Sequence, residues 1–593
     1  MPGPAYPKVQ LYRYNWTQLS EAAIGAALGK VAASGPKSTS PADSLLAGTT
    51  LRIVTDDDGA NKGPLLSYRF TSAHRLSLSE NGGTEIAAGY GALRLDDLVL
   101  FAHLIPGTLR GYAVVIDERT GLATAFELWF AGQGAKREVS RAVWQGYVAQ
   151  DGADAPPLRH RGTNRIEGKG LYWKTDSGDE TLDFYPSMAY SHWVELTRLD
   201  GKQGYCAPSD YIQVDDRFYL YTRTEAEFSG IFTLYAMDLD KLEQVGLRLG
   251  FNAADELEFQ IFRGTGEWLG QIAQFEKFGD ISGGAPKPRA GPGQGANIDP
   301  DAKGARGVYR PLATMPKLTK AQVDKAVAEN TRVFAPRTGA GSGAAGMATN
   351  GLAAVGWLAG KNFTLRYDGG PAVEYKVVTA EELKWRKDGG RWVTARYQAW
   401  EPAPGVILFG HVLEGEANHA GHSICADFHQ GLVTTFKGTL NGPYFANEAV
   451  AETLFGTIEM AGIKSPGALR HHRTNELLGR AITWNYAPGL TSMHLYSTPG
   501  TVSWIIFTDS GAGGLEWSGP GDFVKIRDQL YFAYWLEDAC NGTLGTIVIN
   551  LRTMHDAGIG YHCGTEGLSM SQVGAHARHA GKFDIDRFFK QSV

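Results

Sequence analysis

The feature that most limits how this chain can fold is an internal repeat. Val99–His103 recurs as Ile407–His411, 308 residues later, and Trp173 recurs as Trp484, 311 residues later. The other matches, in the same order and at offsets of 311 or 312, are Leu46–Gly48 with Leu358–Gly360, Thr163–Asn164 with Thr474–Asn475, Trp193 with Trp504, Asp216–Tyr219 with Asp528–Tyr531, Glu225 with Glu537, and Gly230 with Gly542. A repeat this long predicts two copies of one unit.

Composition places the joint between the copies at 281–345. Gly, Pro and Ala are abundant there, and such a stretch cannot bury enough apolar surface to offset its chain entropy. Short helices are predicted at Thr319–Phe334 and at Leu19–Ala33. The predicted organisation is an N-terminal helical extension (1–44), barrel 1 (45–150), barrel 2 (160–280), the linker (281–345), barrel 3 (346–460) and barrel 4 (472–586).

Short alternating segments predict antiparallel strands within each copy. Phe363–Tyr367 and Val373–Val377 alternate apolar and polar residues on either side of a turn at Asp368–Gly370. Similar segments recur with Gly and Asp turns between them, and the chain has 75 glycines and 11% aromatic residues. This pattern favours an all-β protein made of meandering antiparallel barrels or sandwiches.

The bulk composition excludes several functional classes. The net charge of -6 and the lack of basic clusters argue against a nucleic-acid or membrane-surface partner. The 4 cysteines form no C-x-x-C motif, which argues against a disulfide framework or zinc ribbon and favours a reducing compartment. No apolar run is long enough to span a membrane and no signal peptide is evident, so we expect a cytoplasmic protein.

Two segments of the second copy resemble a known family. The turn at Tyr367–Gly370 with Glu374 and Tyr375, and the later Tyr531–Glu537 followed by Gly542–Gly545, are similar to MoaF-type proteins. Members of that family have lipocalin-like N- and C-terminal domains. The resemblance implies four lipocalin-like (calycin-type) antiparallel β-barrels in two tandem pairs, and it reaches barrels 1 and 2 mainly through the repeat. Because such barrels host both carriers and enzymes, the fold alone does not fix the function.

One histidine position is kept in both copies. His103 and His411 lie on equivalent strands, and alternation puts His411 on the same face as Ile407 and Phe409. A histidine that points into a barrel can act as a general acid or base near neutral pH. The alternative is a core histidine whose ring nitrogens are satisfied.

Glu225 and Glu537 are also kept, each after an aromatic strand. Alternation puts Tyr531, Ala533, Trp535 and Glu537 on one face. A carboxylate in an apolar pocket has a raised pKa and can exchange a proton with a substrate. The alternative is a structural carboxylate that holds the following loop by hydrogen bonds.

Barrel 2 is rich in phenols and adds an arginine. Arg223 and Glu225 are two residues apart on one strand, so they share a face. The candidate ligand contacts of this barrel are Tyr190, His192, Trp193 and Tyr219. Tyrosine hydroxyls with an arginine and a glutamate resemble the set that cofactor-free phenolic-acid decarboxylases use in a similar small barrel. Tyrosine is also common in strands that have no such role.

The candidate ligand contacts of the second copy are aromatic, namely Trp385, Tyr397, Trp504, Tyr534 and Trp535. His411, His419 and His422 could supply metal ligands, but their spacing matches no strong zinc motif. We therefore assign no metal and no other cofactor, and leave open whether this cluster binds one. The sequence shows no nucleophile elbow and no strong Cys/His pair, so nucleophilic catalysis is not expected.

The resulting functional hypothesis is acid–base catalysis without a cofactor. A lyase, isomerase or cyclase acting on a small hydrophobic or phenolic substrate fits an aromatic-lined barrel, with His103, Arg223, Glu225, His411 and Glu537 as catalytic candidates. The alternative is a non-catalytic carrier of such a ligand, and a third possibility is that one copy is only a packing partner. The expected partner is a small hydrophobic or aromatic molecule, with no nucleic acid and no membrane, for a monomer or homodimer.

Overall fold

The computed structural model describes residues 19–39, 45–57, 61–130, 137–163, 165–186, 190–197, 204–225, 229–252, 254–273, 316–335, 346–442, 445–488, 490–508, 516–537 and 541–590. Almost all regular structure in these ranges is antiparallel sheet. Two α-helices are described, and they lie where the sequence predicts them: α1 (Glu21–Val31) and α2 (Lys320–Glu329). Each is capped by a hydroxyl, because Ser20 and Thr319 accept hydrogen bonds from amides of the first turn.

Barrels 1 and 2 are closed rings of eight antiparallel strands. The strands of barrel 1 are β2 (Thr50–Thr55), β3 (Leu65–Ser72), β4 (Arg75–Glu80), β5 (Ile86–Leu95), β6 (Leu98–Leu104), β7 (Arg110–Asp117), β8 (Leu122–Trp129) and β9 (Ser140–Val148). Those of barrel 2 are β11 (Lys169–Thr175), β12 (Glu180–Phe184), β13 (Tyr190–Glu195), β14 (Gly204–Gln213), β15 (Phe218–Thr224), β16 (Phe232–Asp238), β17 (Glu243–Phe251) and β18 (Leu257–Gln271). Outside the second ring, β1 (Lys37–Ser38) pairs with β18 and β10 (Arg161–Gly162) pairs with β14.

Barrel 3 is nearly closed and barrel 4 is a ring of eight strands. The strands of barrel 3 are β20 (Asn362–Tyr367), β21 (Ala372–Val377), β22 (Glu382–Lys387), β23 (Val393–Arg396), β24 (Gln398–Ala403), β25 (Val406–Val412), β26 (Gly421–Asp427), β27 (Leu432–Thr439) and β28 (Val450–Glu459). Barrel 4 and its flanking strands are β30 (Arg480–Ala487), β31 (Leu490–Thr498), β32 (Thr501–Thr508), β33 (Glu516–Arg527), β34 (Leu530–Leu536), β35 (Leu544–Asn550), β36 (His555–Gly564) and β38 (His576–Lys582), with β19 (Thr331–Val333), β29 (His472–Arg473) and β37 (Gly567–Val573) outside the ring. The all-β barrel fold predicted from the sequence is confirmed.

The barrels pack in the order 1, 2, 4, 3. One apolar cluster joins the outer faces of barrels 1 and 2, and a matching cluster joins barrels 3 and 4. A third cluster joins barrels 2 and 4 through β12 and β13 on one side and β31 and β32 on the other. The strands at these junctions are therefore buried on both faces, so their side chains are apolar whether they point into the barrel or out of it.

The two halves share one plan down to single hydrogen bonds. Three side-chain hydrogen bonds occur in both halves at offsets of 307 to 311 residues. Tyr90 donates to the Ser72 carbonyl and Tyr397 to the Thr379 carbonyl, at 3.0 Å each. Thr124 bonds His160 at 2.8 Å, and Thr434 bonds His471 at 2.9 Å. Tyr68 bonds His103 at 3.2 Å, and Tyr375 bonds His411 at 3.1 Å. A helix followed by a short parallel strand precedes each pair of barrels. Among the described residues, no helix has the length and apolar character needed to cross a membrane.

Candidate functional site

The kept histidines point into barrels 1 and 3. The ring of His411 lies with Ile407 and Phe409 inside barrel 3, as the alternation predicts. Its Nδ1 is 3.1 Å from the Val412 carbonyl, so this nitrogen donates, and Nε2 accepts the Tyr375 hydroxyl proton at 3.1 Å. Burial lowers the pKa of His411 to about 4, and the same cause lowers that of His103 to about 4. Both rings are neutral at physiological pH.

The surroundings of the two histidines differ. In barrel 3, His411 lies beside His422 (ring centroids 5.7 Å apart) and Trp385 (5.9 Å). Strand pairing puts Tyr112 and Leu78 at these two positions in barrel 1. Burial, with a smaller contribution from His411, lowers the pKa of His422 well below its usual value. The interior of barrel 3 therefore holds a pair of neutral imidazoles that barrel 1 lacks.

The histidine cluster near residue 420 is divided by the barrel wall. His411 and His422 face the interior, whereas His419 lies outside and its Nε2 is 2.7 Å from Asp324 Oδ1 on α2. The three imidazoles therefore do not form one ligand set. Among the described residues, the group that could hold a metal ion is a different one, namely His192, Cys206 and Glu516.

Arg223 lies buried at the centre of barrel 2. Its guanidinium donates to Asp183 at 2.8 Å, approaches Glu195 at 3.7 Å and lies 4.3 Å from the centre of the Trp193 ring. Trp193 in turn donates its indole hydrogen to Glu195 at 3.1 Å. The predicted partner Glu225 is occupied elsewhere. The arginine is therefore held by a buried ion pair rather than offered to a ligand.

The two kept glutamates hold local structure. Glu225 accepts from Arg248 at 3.0 Å and from the Ser229 hydroxyl at 2.5 Å. Glu537 accepts from the Trp535 indole at 3.1 Å and from the Asn541 side chain, and its backbone also pairs across the loop that follows β34. Burial raises the pKa of Glu537, and its hydrogen bonds partly offset this. This carboxylate both ties the loop and keeps some affinity for a proton.

The remaining aromatic candidates do not converge on one site. Tyr219 and Tyr397 donate to the Asp216 and Thr379 carbonyls, at 3.2 and 3.0 Å. The others are buried in five environments: Tyr190 in barrel 2, His192 between barrels 2 and 4, Trp385 in barrel 3, Trp504 and Trp535 inside barrel 4, and Tyr534 between barrels 3 and 4 against Phe436. The structure thus brings together Trp504, Trp535 and Glu537, within barrel 4.

A further titratable group of that interior, Asp556, is not among the residues predicted from the sequence. This residue is fully buried at the start of β36; its Oδ1 accepts the Ala575 amide at 2.6 Å, and its Oδ2 has no partner among the described residues. Burial raises its pKa to about 8, and the single backbone hydrogen bond only partly offsets this. At neutral pH the carboxyl is therefore largely protonated and can donate.

Two tyrosines lie within electrostatic reach of Asp556. Burial raises the pKa of Tyr486 and Tyr496, and the negative form of Asp556 raises both further; Glu537 also acts on Tyr486. The Tyr496 hydroxyl interacts with the Trp484 indole, and the Tyr486 hydroxyl is 3.2 Å from the Ser492 hydroxyl. The apolar lining of this interior includes Trp484, Trp504, Trp517, Phe523 and Trp535. We call Asp556, Tyr486, Tyr496 and Glu537, with this lining, the barrel 4 site.

The wall of barrel 4 contains a strand interruption next to Asp556. β36 pairs with β37 at seven residues, Gly558–Gly564, and with β38 at one, His555 with His576, because the strand is interrupted between β37 and β38. The equivalent strand of barrel 2, β18, is continuous and pairs with β17 at nine consecutive residues. Residues 346–352 cross the seam of barrel 4, where Asn350 accepts a hydrogen bond from His555 at 2.8 Å.

Barrel 2 carries different residues at the corresponding positions. Strand pairing aligns Gln244 with Asp556, Asp183 with His494, and Arg223 with Trp535. The interior of barrel 2 is thus charged, whereas the interior of barrel 4 is lined by indole rings and contains a protonated carboxyl. The clue available in the sequence was this difference between copies, but the match at Gln244 depends on strand register that the sequence does not display.

Two clefts also border barrel 3 from outside. One, of about 540 Å³, runs along the outer face of β20, β21 and β28, and the other, of about 420 Å³, lies between α2 and the end of β25. Their linings include Trp392 and His419 respectively. Neither cleft reaches the barrel 4 site, so the convergent titratable groups and the open clefts lie in different places.

Together the fold and its aromatic interiors define an all-β protein of small lipocalin-like barrels. Residues 340–442 match the family model of the MoaF N-terminal domain, and residues 471–582 match that of the MoaF C-terminal domain. The second half therefore carries one pair of MoaF domains, and the resemblance inferred from the sequence is confirmed for that half. The first half shares the recurring elements described above with this second half.

Other comparisons add little. No curated protein matches the chain. One solved structure, from Burkholderia vietnamiensis and provisionally described as a beta-lactamase, is 18% identical and covers 18% of this chain and 95% of its own, with a TM-score of 0.15. A likeness at that level carries no argument about function.

Proposed function

We propose that barrel 4 is the active site of a cofactor-independent acid–base enzyme, with Asp556 as the group that exchanges the proton. The observation that carries this proposal is the state of that carboxyl. It is buried, it has a free oxygen, and its pKa of about 8 keeps a proton available at neutral pH. A carboxylic acid held neutral in an apolar site can donate a hydrogen bond or a proton to a substrate oxygen.

The surrounding groups suit a compact aromatic substrate. Indole rings supply apolar contact area, and the Tyr496 hydroxyl supplies a second polar contact. Glu537 is a second carboxyl whose pKa is also raised. Two carboxyls with differently shifted pKa values can divide the roles of acid and base.

Among lyase, isomerase and cyclase reactions, proton balance favours an isomerisation. Asp556 gives its proton from Oδ2 to a substrate carbonyl oxygen, and a base such as the Glu537 carboxylate takes a proton from the adjacent carbon, which leaves an enol. Return of the proton to a different carbon completes the rearrangement, and the reverse transfers restore both carboxyls. No external oxidant, reductant or cofactor is required.

We also propose that the first half is a diverged copy of the MoaF pair, in which barrel 2 has lost this role. Its Gln244 cannot exchange a proton, and its Arg223 is neutralised by Asp183. A carrier function is the second candidate, and it is favoured by barrels 1 and 3, in which the tyrosine and histidine of each buried pair bond each other. Cytoplasmic location and a monomeric or homodimeric state remain part of this proposal.

Deuterium exchange tests the acid–base role without a known substrate. The full chain is incubated in D2O with a panel of small phenolic ketones and enones, and exchange at the carbon next to the carbonyl is followed by proton NMR. We expect faster exchange of at least one probe with the wild type than with Asp556→Asn. Gln244→Ala changes the matching position of barrel 2 and should leave the rate unchanged.

Binding is measured in parallel through quenching of tryptophan fluorescence. Exchange that is equal in wild type and Asp556→Asn would refute the catalytic role of Asp556. Quenching in both proteins with no exchange in either would support the carrier instead. If no probe of the panel either binds or exchanges, the assignment of a phenolic or enone substrate class is wrong.

A further inference from the structure

A second cluster of chemically reactive side chains lies where barrels 2 and 4 meet. His192 on β13 stands directly opposite Cys206 on β14, and Glu516 on β33 faces them from barrel 4. The three residues are 0%, 8% and 1% exposed, and their potential ligand atoms all lie within 4.8 Å of one another. An imidazole, a thiol and a carboxyl are thus gathered in a water-excluded place. They lie against the outer face of the strands whose inner face carries Tyr496 and Trp517 of the barrel 4 site.

The orientation of the His192 ring suits a metal ligand. Its Nε2 is 2.6 Å from the Ser497 hydroxyl of barrel 4, whereas Nδ1 is 3.2 Å from Cys206 Sγ. A proton on Nε2, donated to that hydroxyl, leaves the Nδ1 lone pair directed into the cluster. Histidine ligands are commonly held in this way, with the second nitrogen fixed by an outer hydrogen bond.

We propose that His192, Cys206 and Glu516 bind a zinc-type divalent metal ion that links the two halves of the chain. Sulfur, nitrogen and carboxylate oxygen are ligands that Zn²⁺ prefers, and three protein ligands with water in the fourth position form a known arrangement. A divalent ion with one thiolate and one carboxylate has no net charge, which lowers the cost of burying the set.

The distances are compatible with this ion. Zinc–ligand bonds of about 2.0–2.3 Å place ligand atoms of a tetrahedral site about 3.3–3.8 Å apart. The His192 and Cys206 atoms are at 3.2 Å, and all atoms are within 4.8 Å, so side-chain shifts of less than about 1 Å suffice. These shifts are within the range of rotamer adjustment, without movement of the strands.

The cluster has no counterpart at the equivalent positions of the other copy, where barrels 2 and 4 meet. Strand pairing aligns His192 with Ser503, Cys206 with Ser518, and Gly204 with Glu516. The symmetry-related side of the junction therefore has hydroxyls where this side has an imidazole and a thiol. The backbone arrangement is the same on both sides, so the fold alone does not require these three residues.

A thiol beside an imidazole could also be a nucleophile, and this contact is not evident from the sequence. His192 and Cys206 are 14 residues apart and meet only through the register of β13 and β14. The prediction that no such pair exists is therefore wrong. Burial argues against a nucleophilic role, since a substrate carbonyl cannot reach a sulfur enclosed between two barrels, whereas a single ion can be incorporated as the barrels fold together.

Cobalt substitution tests the site on the full chain. The chelator-treated, dialysed protein is titrated with Co²⁺, and bound metal is counted by mass spectrometry. We expect one equivalent, with a sulfur-to-cobalt charge-transfer band that Cys206→Ser abolishes and a tenfold or greater loss of affinity in Glu516→Gln. Cys425→Ser, another buried cysteine, is the matched control and should keep the band.

Stability provides a readout that does not depend on the cobalt spectrum. Zn²⁺ should raise the melting temperature of the wild type and Cys425→Ser, but not of Glu516→Gln, which stays informative if Cys206→Ser does not fold. Absence of stoichiometric metal, or an unchanged band in Cys206→Ser, would overturn the proposal. Native-state alkylation of Cys206 by iodoacetamide would instead support an accessible nucleophile and would also count against the metal site.

Discussion

The Ala575 amide donates a 2.6 Å hydrogen bond to Oδ1 of Asp556, at the point where the wall of barrel 4 is interrupted. The interruption leaves the amide free to bond a side chain instead of a neighbouring strand. One neutral donor is too little to stabilise a buried negative charge, so the carboxyl retains its proton. A local defect in the sheet thus creates the most strongly shifted carboxyl of the barrel 4 site.

The first prediction concerns Asp556→Asn. Between the ordinary pKa near 3.8 and the folded value of about 8, the unfolded chain releases a proton that the folded chain keeps, so wild-type stability falls as pH rises through this window. Asparagine can still accept from Ala575 but does not titrate. The variant should therefore gain stability relative to wild type by up to about 1.4 kcal/mol per pH unit within the window.

Urea unfolding of both proteins at several pH values between 5 and about 9 measures this difference. The gain should level off above pH 8, where the folded carboxyl also ionises. A difference that does not change with pH would contradict the shifted pKa of Asp556. Gln244→Ala, at the non-titrating counterpart, should show a constant difference.

Buried histidines give the second prediction, with the opposite sign. Burial lowers the pKa of His103, His160, His411 and His471 to about 4, from an ordinary value of 6.5. As pH falls from 6.5 towards 4, the unfolded chain takes up protons that the folded chain does not, so stability is lost in this range. Together with Asp556, these four histidines place the stability maximum at about pH 7, where the protons that the unfolded histidines take up balance the proton that folded Asp556 keeps.

His160→Gln and His471→Gln test the acid side separately. Each ring bonds the hydroxyl of an equivalent threonine, at 2.8 and 2.9 Å, which glutamine can also reach. Between pH 4.5 and 6, each variant should reduce the slope of the unfolding free energy against pH. The reduction should be up to about 1.4 kcal/mol per pH unit, which corresponds to one proton. An unchanged slope in both variants would show that these rings are already charged in the folded state.

The fold was readable from the sequence because its signals are local or repeated. Alternation in Phe363–Tyr367 predicts a strand that the structure places at Asn362–Tyr367, and the repeat extends that interpretation to the other half. Alternation also correctly put Trp535 and Glu537 on one face of the 530–536 strand. In each case neighbouring residues carried the information.

The site was not readable, because it depends on register between distant strands. Asp556 gains its hydrogen bond from a residue 19 positions later, and Cys206 meets Glu516 across two halves of the chain. Hydrophobicity also does not show which face of a strand points into its barrel, because the outward face packs on a neighbouring barrel and is apolar as well. Tyr534 illustrates this, because it is as buried as Trp535 but contacts barrel 3.

The third prediction compares the Tyr–His pairs of barrels 1 and 3. Tyr68→Phe and Tyr375→Phe each leave a buried imidazole nitrogen without its partner, which should cost about 1–3 kcal/mol. Because the two sites lie in different barrels, the double variant should show the sum of the two effects. Urea unfolding measures all three proteins. A neutral effect of one substitution would mean that its histidine finds another partner.

The last prediction concerns the buried charges of barrel 2. Arg223→Met removes the partner of Asp183 and the nearest cation to Glu195, and should cost about 3–5 kcal/mol because both carboxylates stay buried. Adding Asp183→Asn should recover a large part of that loss, because the methionine side chain then faces a neutral group. A double-mutant cycle, followed by urea unfolding, gives the coupling between the two residues. A coupling near zero would mean that Arg223 is held by its contact with the Trp193 ring, 4.3 Å away, rather than by the ion pair.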